Sequence, residues 1–136
     1  MNLSATMTDN ITEVLEKIIK FTERRNYLLM RNIEKVDDEE FIAMDLDVDD
    51  FAGLMTDAIL EHIQNKRLLL CDSATIRFGR GGSFECMPIV DEQAVVLLER
   101  DPNEYICYQI RKLSENFINH KMATELLEHK KKLEVI

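Results

Sequence analysis

The stretch DPNEYICYQIRKLSENFINHKMATELLEHKKKLEVI, residues 101–136, carries one Pro at its second position and no Gly. Asp101 suits an N-cap, because its carboxylate can accept one of the unpaired first-turn N–H groups. Pro102 suits the first helical position, where its missing donor costs nothing. Glu104 falls three residues after the cap, as in a capping box, and sets negative charge on the positive helix end. Lys130-Lys131-Lys132 sits near the other end, where cations are favoured. A helix over 102–133 is about 48 Å long at 1.5 Å per residue. A rod of that length exceeds the ordinary globular helix, so it is expected to lie along another rod or along copies of itself.

Within it, Ile106, Ile110, Leu113 and Phe117 recur at heptad steps. The apolar positions then shift by one residue to Ile118, Met122, Leu126, Leu133 and Ile136. One residue turns a helix face by about 100°. The shift means either different neighbours along the helix or one wide face on a single partner, and both readings stay open.

The other end of the chain has the same character. No Gly or Pro occurs from Ile11 to Val36, and Asn10 with Glu13 makes a second cap-and-N3 pair. Ile11, Val14, Leu15, Ile18, Phe21, Leu28, Leu29 and Ile33 form an amphipathic stripe, interrupted at Arg24-Arg25-Asn26. The expected organisation is one domain over 1–136, with a poorly ordered start at 1–9, an N-terminal helix at 10–36 and an acidic loop at 37–50. A short helix follows at 51–64, capped by Asp49 or Asp50, then a flexible central insert at 66–100 and the C-terminal helix at 102–133. In the insert, Leu68 to Cys71, Thr75 to Phe78, Phe84 to Met87 and Ala94 to Leu98 read as short strands. Gly79-Arg80-Gly81-Gly82-Ser83 forms the turn between the middle two. The fold class is mainly α: long terminal helices packed as a hairpin or coiled coil, with a short third helix and a small strand-rich insert.

Composition narrows the function. Of the 136 residues, 46% are hydrophobic and 32% charged, which fits a folded chain with one modest core. No apolar run reaches transmembrane or secretory-signal length. The net charge is −9, and nine acids against the single base Lys35 fall between Glu34 and Asp50. That field repels phosphate backbones, so nucleic acid is not an expected partner. Cys71, Cys86 and Cys107 are widely spaced and form no Cys-x-x-Cys, and any pairing among them is left open.

Candidate chemistries fail on spacing. Asp45-Leu46-Asp47-Val48-Asp49 opens like a calcium loop, but Asp50 stands where Gly is needed and Thr56 where Glu is needed. The glycine turn lacks the lysine of a P-loop. His62, His120 and His129 make no H-x-x-x-H pair, and the paired acids cluster in a polar loop rather than an apolar pocket. The chain is therefore expected to be neither an enzyme nor a cofactor or metal protein.

Particular segments point further. Leu28-Leu29-Met30-Arg31-Asn32-Ile33 closes the first helix, with Asp37 and Phe41 in the loop after it. Asp47-Val48-Asp49-Asp50-Phe51 leads into the helix through Leu54, and Lys112-Leu113-Ser114-Glu115-Asn116 lies in the last helix. This pattern resembles the rod proteins of the bacterial flagellar basal body, most closely the FlgB family of the proximal rod. That family carries Leu-Leu-x-x-Asn-Ile, a loop Asp and aromatic residue, an Asp-rich stretch ending in Phe-x-x-x-Leu, and Lys-Leu-Ala-Glu-Asn at corresponding places. Asp38-Glu39-Glu40 stands where the family has Thr-Pro-Gly, and Lys35 where it has Asn.

The resemblance implies a structural subunit built into a hollow helical tube. The terminal helices would join copies to one another, to other rod proteins, and to the MS ring and export gate. It implies a periplasmic location in the basal body, export through the flagellar type III system without a cleaved signal, and torque transmission rather than catalysis. The residues expected at the assembly interface are Leu15, Ile18, Leu29, Ile33, Ile110, Leu113, Phe117, Met122 and Leu126. A second reading from a different class is a cytosolic acidic helical adaptor or regulator that binds a single protein partner.

Overall fold

A computed structural model describes residues 3–79 and 83–135. In chain order it contains α1 (Leu3–Glu34), β1 (Met44–Asp45), α2 (Val48–Asn65), β2 (Ile76–Phe78), β3 (Phe84–Cys86), β4 (Ile89–Val90), α3 (Glu92–Arg100) and α4 (Pro102–Val135). The fold is mainly helical. α1 and α4 run antiparallel as a long hairpin, with Asn32 beside Gln109 at one end and Leu15 beside Ala123 and Leu127 at the other. α2 doubles back along a second face of α1, so α1 is the central rod of the molecule.

α4 starts where the cap pattern requires. Asp101 Oδ1 accepts from the N–H of Asn103 at 3.1 Å and of Glu104 at 3.4 Å. Asp101 also ends α3, donating its own N–H to Leu97 O at 2.8 Å. One extended residue thus separates two helices and allows them to fold back on each other.

Several boundaries differ from the sequence reading. α1 begins at Leu3 rather than Asn10, taking in residues 3–9, for which an unordered start was expected. Asn10 is no cap. It is buried within the helix, and its amide reaches His62 Nδ1 at 3.3 Å and Lys66 O at 3.4 Å. With no Gly or Pro among 3–9, nothing interrupts the helix on that side. α1 ends at Glu34, two residues short of Val36. The 37–50 segment is not all loop, since β1 lies inside it. α2 starts at Val48, because Asp47 rather than Asp49 or Asp50 is the cap and accepts from Asp50 N at 3.0 Å. Asp49 and Asp50 occupy the first turn, where their charge favours the helix end.

The central segment is partly strand as expected. β2 and β3 pair antiparallel with Ile76 opposite Cys86 and Phe78 opposite Phe84, and Gly79 N donates to Ser83 O at 2.9 Å. Residues 80–82 of the expected glycine turn lie outside the described residues, as does Ile136 of the last apolar row. Leu68 to Cys71 forms no strand, although Leu68 and Leu70 still pack on the core. Ala94 to Leu98 is helix, not strand. Asp91 caps it by accepting from Ala94 N at 3.1 Å, and Ala94, Leu97 and Leu98 fall at helical spacing on one apolar cluster.

The main core joins α1, α2 and the hairpin. Phe21 and Phe51 stack with ring centroids 3.9 Å apart and planes within 7°, and Phe84 adds to Phe51 at 5.9 Å and to Phe78 at 5.3 Å. Such ring pairs are worth about 0.5–1.5 kcal/mol each beyond their burial. The chain turns out of α2 at Lys66, which adopts a left-handed conformation (φ 60°) and donates its N–H to His62 O. Among the described residues no helix is long and apolar enough to cross a membrane.

Candidate assembly surface

The seam between α1 and α4 is more polar than the apolar stripes suggest. α4 turns Tyr105, Gln109, Asn116, Ala123 and Leu127 inward, all buried. At the loop end, Asn32 anchors three elements. Its amide donates to Met44 O at 2.8 Å and Gln109 Oε1 at 3.1 Å, and its Oδ1 accepts from Met44 N at 3.1 Å. Its main-chain carbonyl accepts from the Tyr105 hydroxyl at 2.7 Å. Burial, with the Asp91 charge adding to it, pushes the Tyr105 phenol up to about 12, so it remains a donor. In mid-seam Asn116 Nδ2 donates to Thr22 O at 2.7 Å, and the Thr22 hydroxyl pairs with His120 Nδ1 at 2.9 Å.

A charged network locks the central segment to this seam. β1 and β4 pair antiparallel, Met44 opposite Val90 and Asp45 opposite Ile89, which brings Asp45 and Asp91 together. Arg25 Nε and Nη2 reach the two oxygens of Asp45 at 2.9 and 3.2 Å. Lys112 Nζ bridges Asp45 at 2.8 Å and Asp91 at 2.7 Å, and lies 4.6 Å from the Tyr108 ring centroid. Burial disfavours the Asp45 carboxylate, but the hydrogen bonds and charges of Arg25 and Lys112 outweigh it and hold the carboxyl below its usual range. Burial likewise disfavours the Lys112 ammonium, and its bonds to Asp45, Asp91 and Tyr108 overcome that and raise it. Every member is paired, which is the condition under which a buried charge network is tolerable.

With the seam filled by these groups, the apolar rows of α4 point elsewhere. Ile110 and Phe117 are 50% and 64% exposed, and Ile118, Met122 and Leu126 are 56%, 57% and 55% exposed. The one-residue shift at 117–118 has a structural meaning. Phe117 borders a concavity with Thr22, Glu23 and Asn26 on one flank of the hairpin. Met122 and Leu126 border a groove on the opposite flank, between α4 and α2, with Ile18 of α1 at its floor and Met55 and Ile59 of α2 as its far wall. That groove encloses about 340 Å³. The two rows therefore face two different sides, neither of them toward α1.

The expected interface residues divide accordingly. Leu15 is buried against Ala123 and Leu127, and Leu29 is fully buried. These two hold the subunit together and are not presented to a neighbour. Ile18, Ile33 and Leu113 are half-buried, whereas Ile110, Phe117, Met122 and Leu126 are exposed. Sequence reasoning missed Arg25, Asp45, Asp91, Tyr108 and Lys112 as a unit, and Gln109 as the α4 partner of Asn32. One signal was present: Arg25 interrupts the apolar stripe of α1 because it turns inward to Asp45.

Among the described residues no group of His, Cys, Asp and Glu could hold a metal ion. Asp50 is taken up by the hydroxyls of Ser73 at 2.5 Å and Thr75 at 2.6 Å, which depress its carboxyl. The three cysteines are free, and burial pushes the Cys86 thiol up to about 11, against the pull of Arg24, so it is a poor nucleophile. What the geometry offers is an internally braced rod with apolar faces on both flanks. Against protein-family models, curated proteins and solved structures, the chain shows no match.

Proposed function

We propose that the chain is a structural subunit of the bacterial flagellar proximal rod, assembling through its terminal helices to link the MS ring and export gate to the rod and to transmit torque. The carrying observation is the pair of exposed apolar rows on α4, Ile110 with Phe117 and Ile118 with Met122 and Leu126, on a helix whose inner face is already occupied. Exposed apolar patches of this kind mark interaction surfaces. Burying them at about 25 cal/mol per Å² would supply the association energy. The segments that carry the family resemblance also meet in the hairpin. Asn32 of Leu-Leu-x-x-Asn-Ile bonds to α4, while Lys112 and Asn116 of Lys-Leu-x-Glu-Asn bond back to β1 and α1. In this reading the subunit works in the periplasm, has no substrate, and reaches its place by type III export.

A strain lacking the gene is expected to lose filaments and swimming, and label against this chain is expected on the rod in negative-stain images of hook–basal bodies. Normal swimming by that strain overturns the proposal. The groove between α2 and α4 also suits one helix of a partner, which favours the adaptor reading second. Recovery of a stoichiometric cytosolic partner, with none of this chain beyond the inner membrane, would select that reading.

A further inference from the structure

We infer that the outer edge of β3 docks an extended, acidic segment of a partner protein, which joins the β2–β3 hairpin as a third strand. This goes beyond the rod reading and does not rest on it. The ladder identifies the edge. Met87 N donates to Thr75 O at 2.7 Å and Gly79 N to Ser83 O at 2.9 Å, so the bonded pairs are 75 with 87, 77 with 85 and 79 with 83. The residues between them, Ile76 and Phe78 on β2 and Phe84 and Cys86 on β3, therefore turn their N–H and C=O groups away from the neighbouring strand.

On the β2 side the chain closes its own edge. Phe78 N donates to Asp72 Oδ1 at 2.9 Å, Ile76 N to Ser73 Oγ at 3.1 Å, and Ser73 N to Ile76 O at 2.9 Å. On the β3 side no group among the described residues bonds to the outward N–H and C=O of Phe84 or Cys86. An open edge of this kind is a template for another strand. Pro88 has no N–H, so the ladder on offer is short and ends there.

A concavity of about 390 Å³ runs along this edge, bordered by Lys20 and Arg24 of α1 and by the five consecutive residues 84–88. A cavity over a sheet face would meet alternate residues, whereas consecutive ones mark an edge. Phe84 and Cys86 turn toward the core on the α1 side, so Glu85, the one acid bordering the concavity, leaves the sheet on the other side. A third strand would turn every second side chain toward Lys20 and Arg24, both of which are exposed. Those cations lie four residues apart, about 6 Å along the helix. Alternate residues of a strand lie about 6.6 Å apart, so acids at positions i and i+2 match them. In a chain of net charge −9, this pair of cations favours acid against the general field.

The test uses the purified full chain and a blocked seven-residue peptide alternating Thr and Glu, at low salt. Saturable binding is expected, with the amide signals of Phe84 and Cys86 shifted in nuclear magnetic resonance spectra and slowed in hydrogen exchange. A Lys20→Glu, Arg24→Glu variant, shown to be folded by circular dichroism, should bind this peptide at least tenfold more weakly and prefer one alternating Thr and Lys. Only one alternate set of peptide amides faces β3. N-methylation of that set should weaken binding at least tenfold, and N-methylation of the other set should not. Absence of binding, or a charge-reversed variant with unchanged preference, would overturn the docking. So would equal affinity of the two methylated peptides, which would reduce the site to two surface cations.

Discussion

Asn32 shows how one side chain can set the geometry of three elements. Through its amide and its main-chain carbonyl it bonds to Met44 in β1 and to Gln109 and Tyr105 in α4. It is 1% exposed, so water cannot replace a lost partner. Asn32→Ala is expected to cost about 1–3 kcal/mol for the polar groups it strands, measured by urea unfolding. Asp45 has more at stake, since Arg25 and Lys112 both depend on it. Asp45→Asn should cost about 3–5 kcal/mol, because a buried guanidinium loses its counter-charge. The pH dependence has a definite sign. The Asp45 carboxyl is lowered in the folded state, so its contribution is complete above the unfolded value of about 4 and is lost as pH falls through the folded value. The unaltered protein should lose stability below about pH 4, and the Asp45→Asn variant should lose less over the same range. Equal acid limbs in the two proteins would refute this assignment.

At the scale of elements, legibility followed the source of each signal. α4 was readable because its start is set locally by Asp101 and Pro102, and the Asp101 cap forms, although its own N–H goes to Leu97 O rather than to Glu104. The β2–β3 hairpin was readable for the same reason. α3 was not: Ala94 to Leu98 is five apolar residues in a row, a length at which strand and helix look alike, and the deciding cap Asp91 also serves Lys112 and Tyr108 from outside the segment. The start of α1 was misplaced because Asn10 looks like a cap but has a tertiary partner in His62. Two element-level outcomes follow. Asp91→Ala should remove about 0.5–2 kcal/mol of cap energy along with its bonds to Lys112 and Tyr108. Hydrogen exchange should then show 89–100 opening ahead of the α1–α4 seam. Leu113→Pro sits in the interior of α4 and should cost about 3 kcal/mol or more by removing a helix bond and forcing a kink. It should block assembly even where export continues.

For the whole molecule, periodicity identified apolar positions on α1 and α4 but could not say which of them the hairpin would consume. A polar seam of Asn32, Gln109, Asn116 and Thr22 frees much of the apolar surface of α4 for the outside, and no helical wheel of a single segment contains that information. The result is a separation between residues that make the subunit and residues that are free to join it to others. Leu29 and Met122 test that separation. Leu29 is fully buried, so Leu29→Ala should cost about 2–5 kcal/mol of folding stability through the cavity it leaves. Any loss of assembly should then track the loss of fold. Met122 is 57% exposed at the edge of the groove, so Met122→Asp should change folding stability by no more than about 0.5 kcal/mol. It should nonetheless place a charge where a neighbour must seat and stop assembly in cells and self-association in solution. Thermal unfolding and sedimentation of the two variants side by side decide the matter. A Met122→Asp protein that assembles like the unaltered chain, or one that unfolds as readily as Leu29→Ala, would show that the groove belongs to the interior of the fold and not to its outer, joining surface.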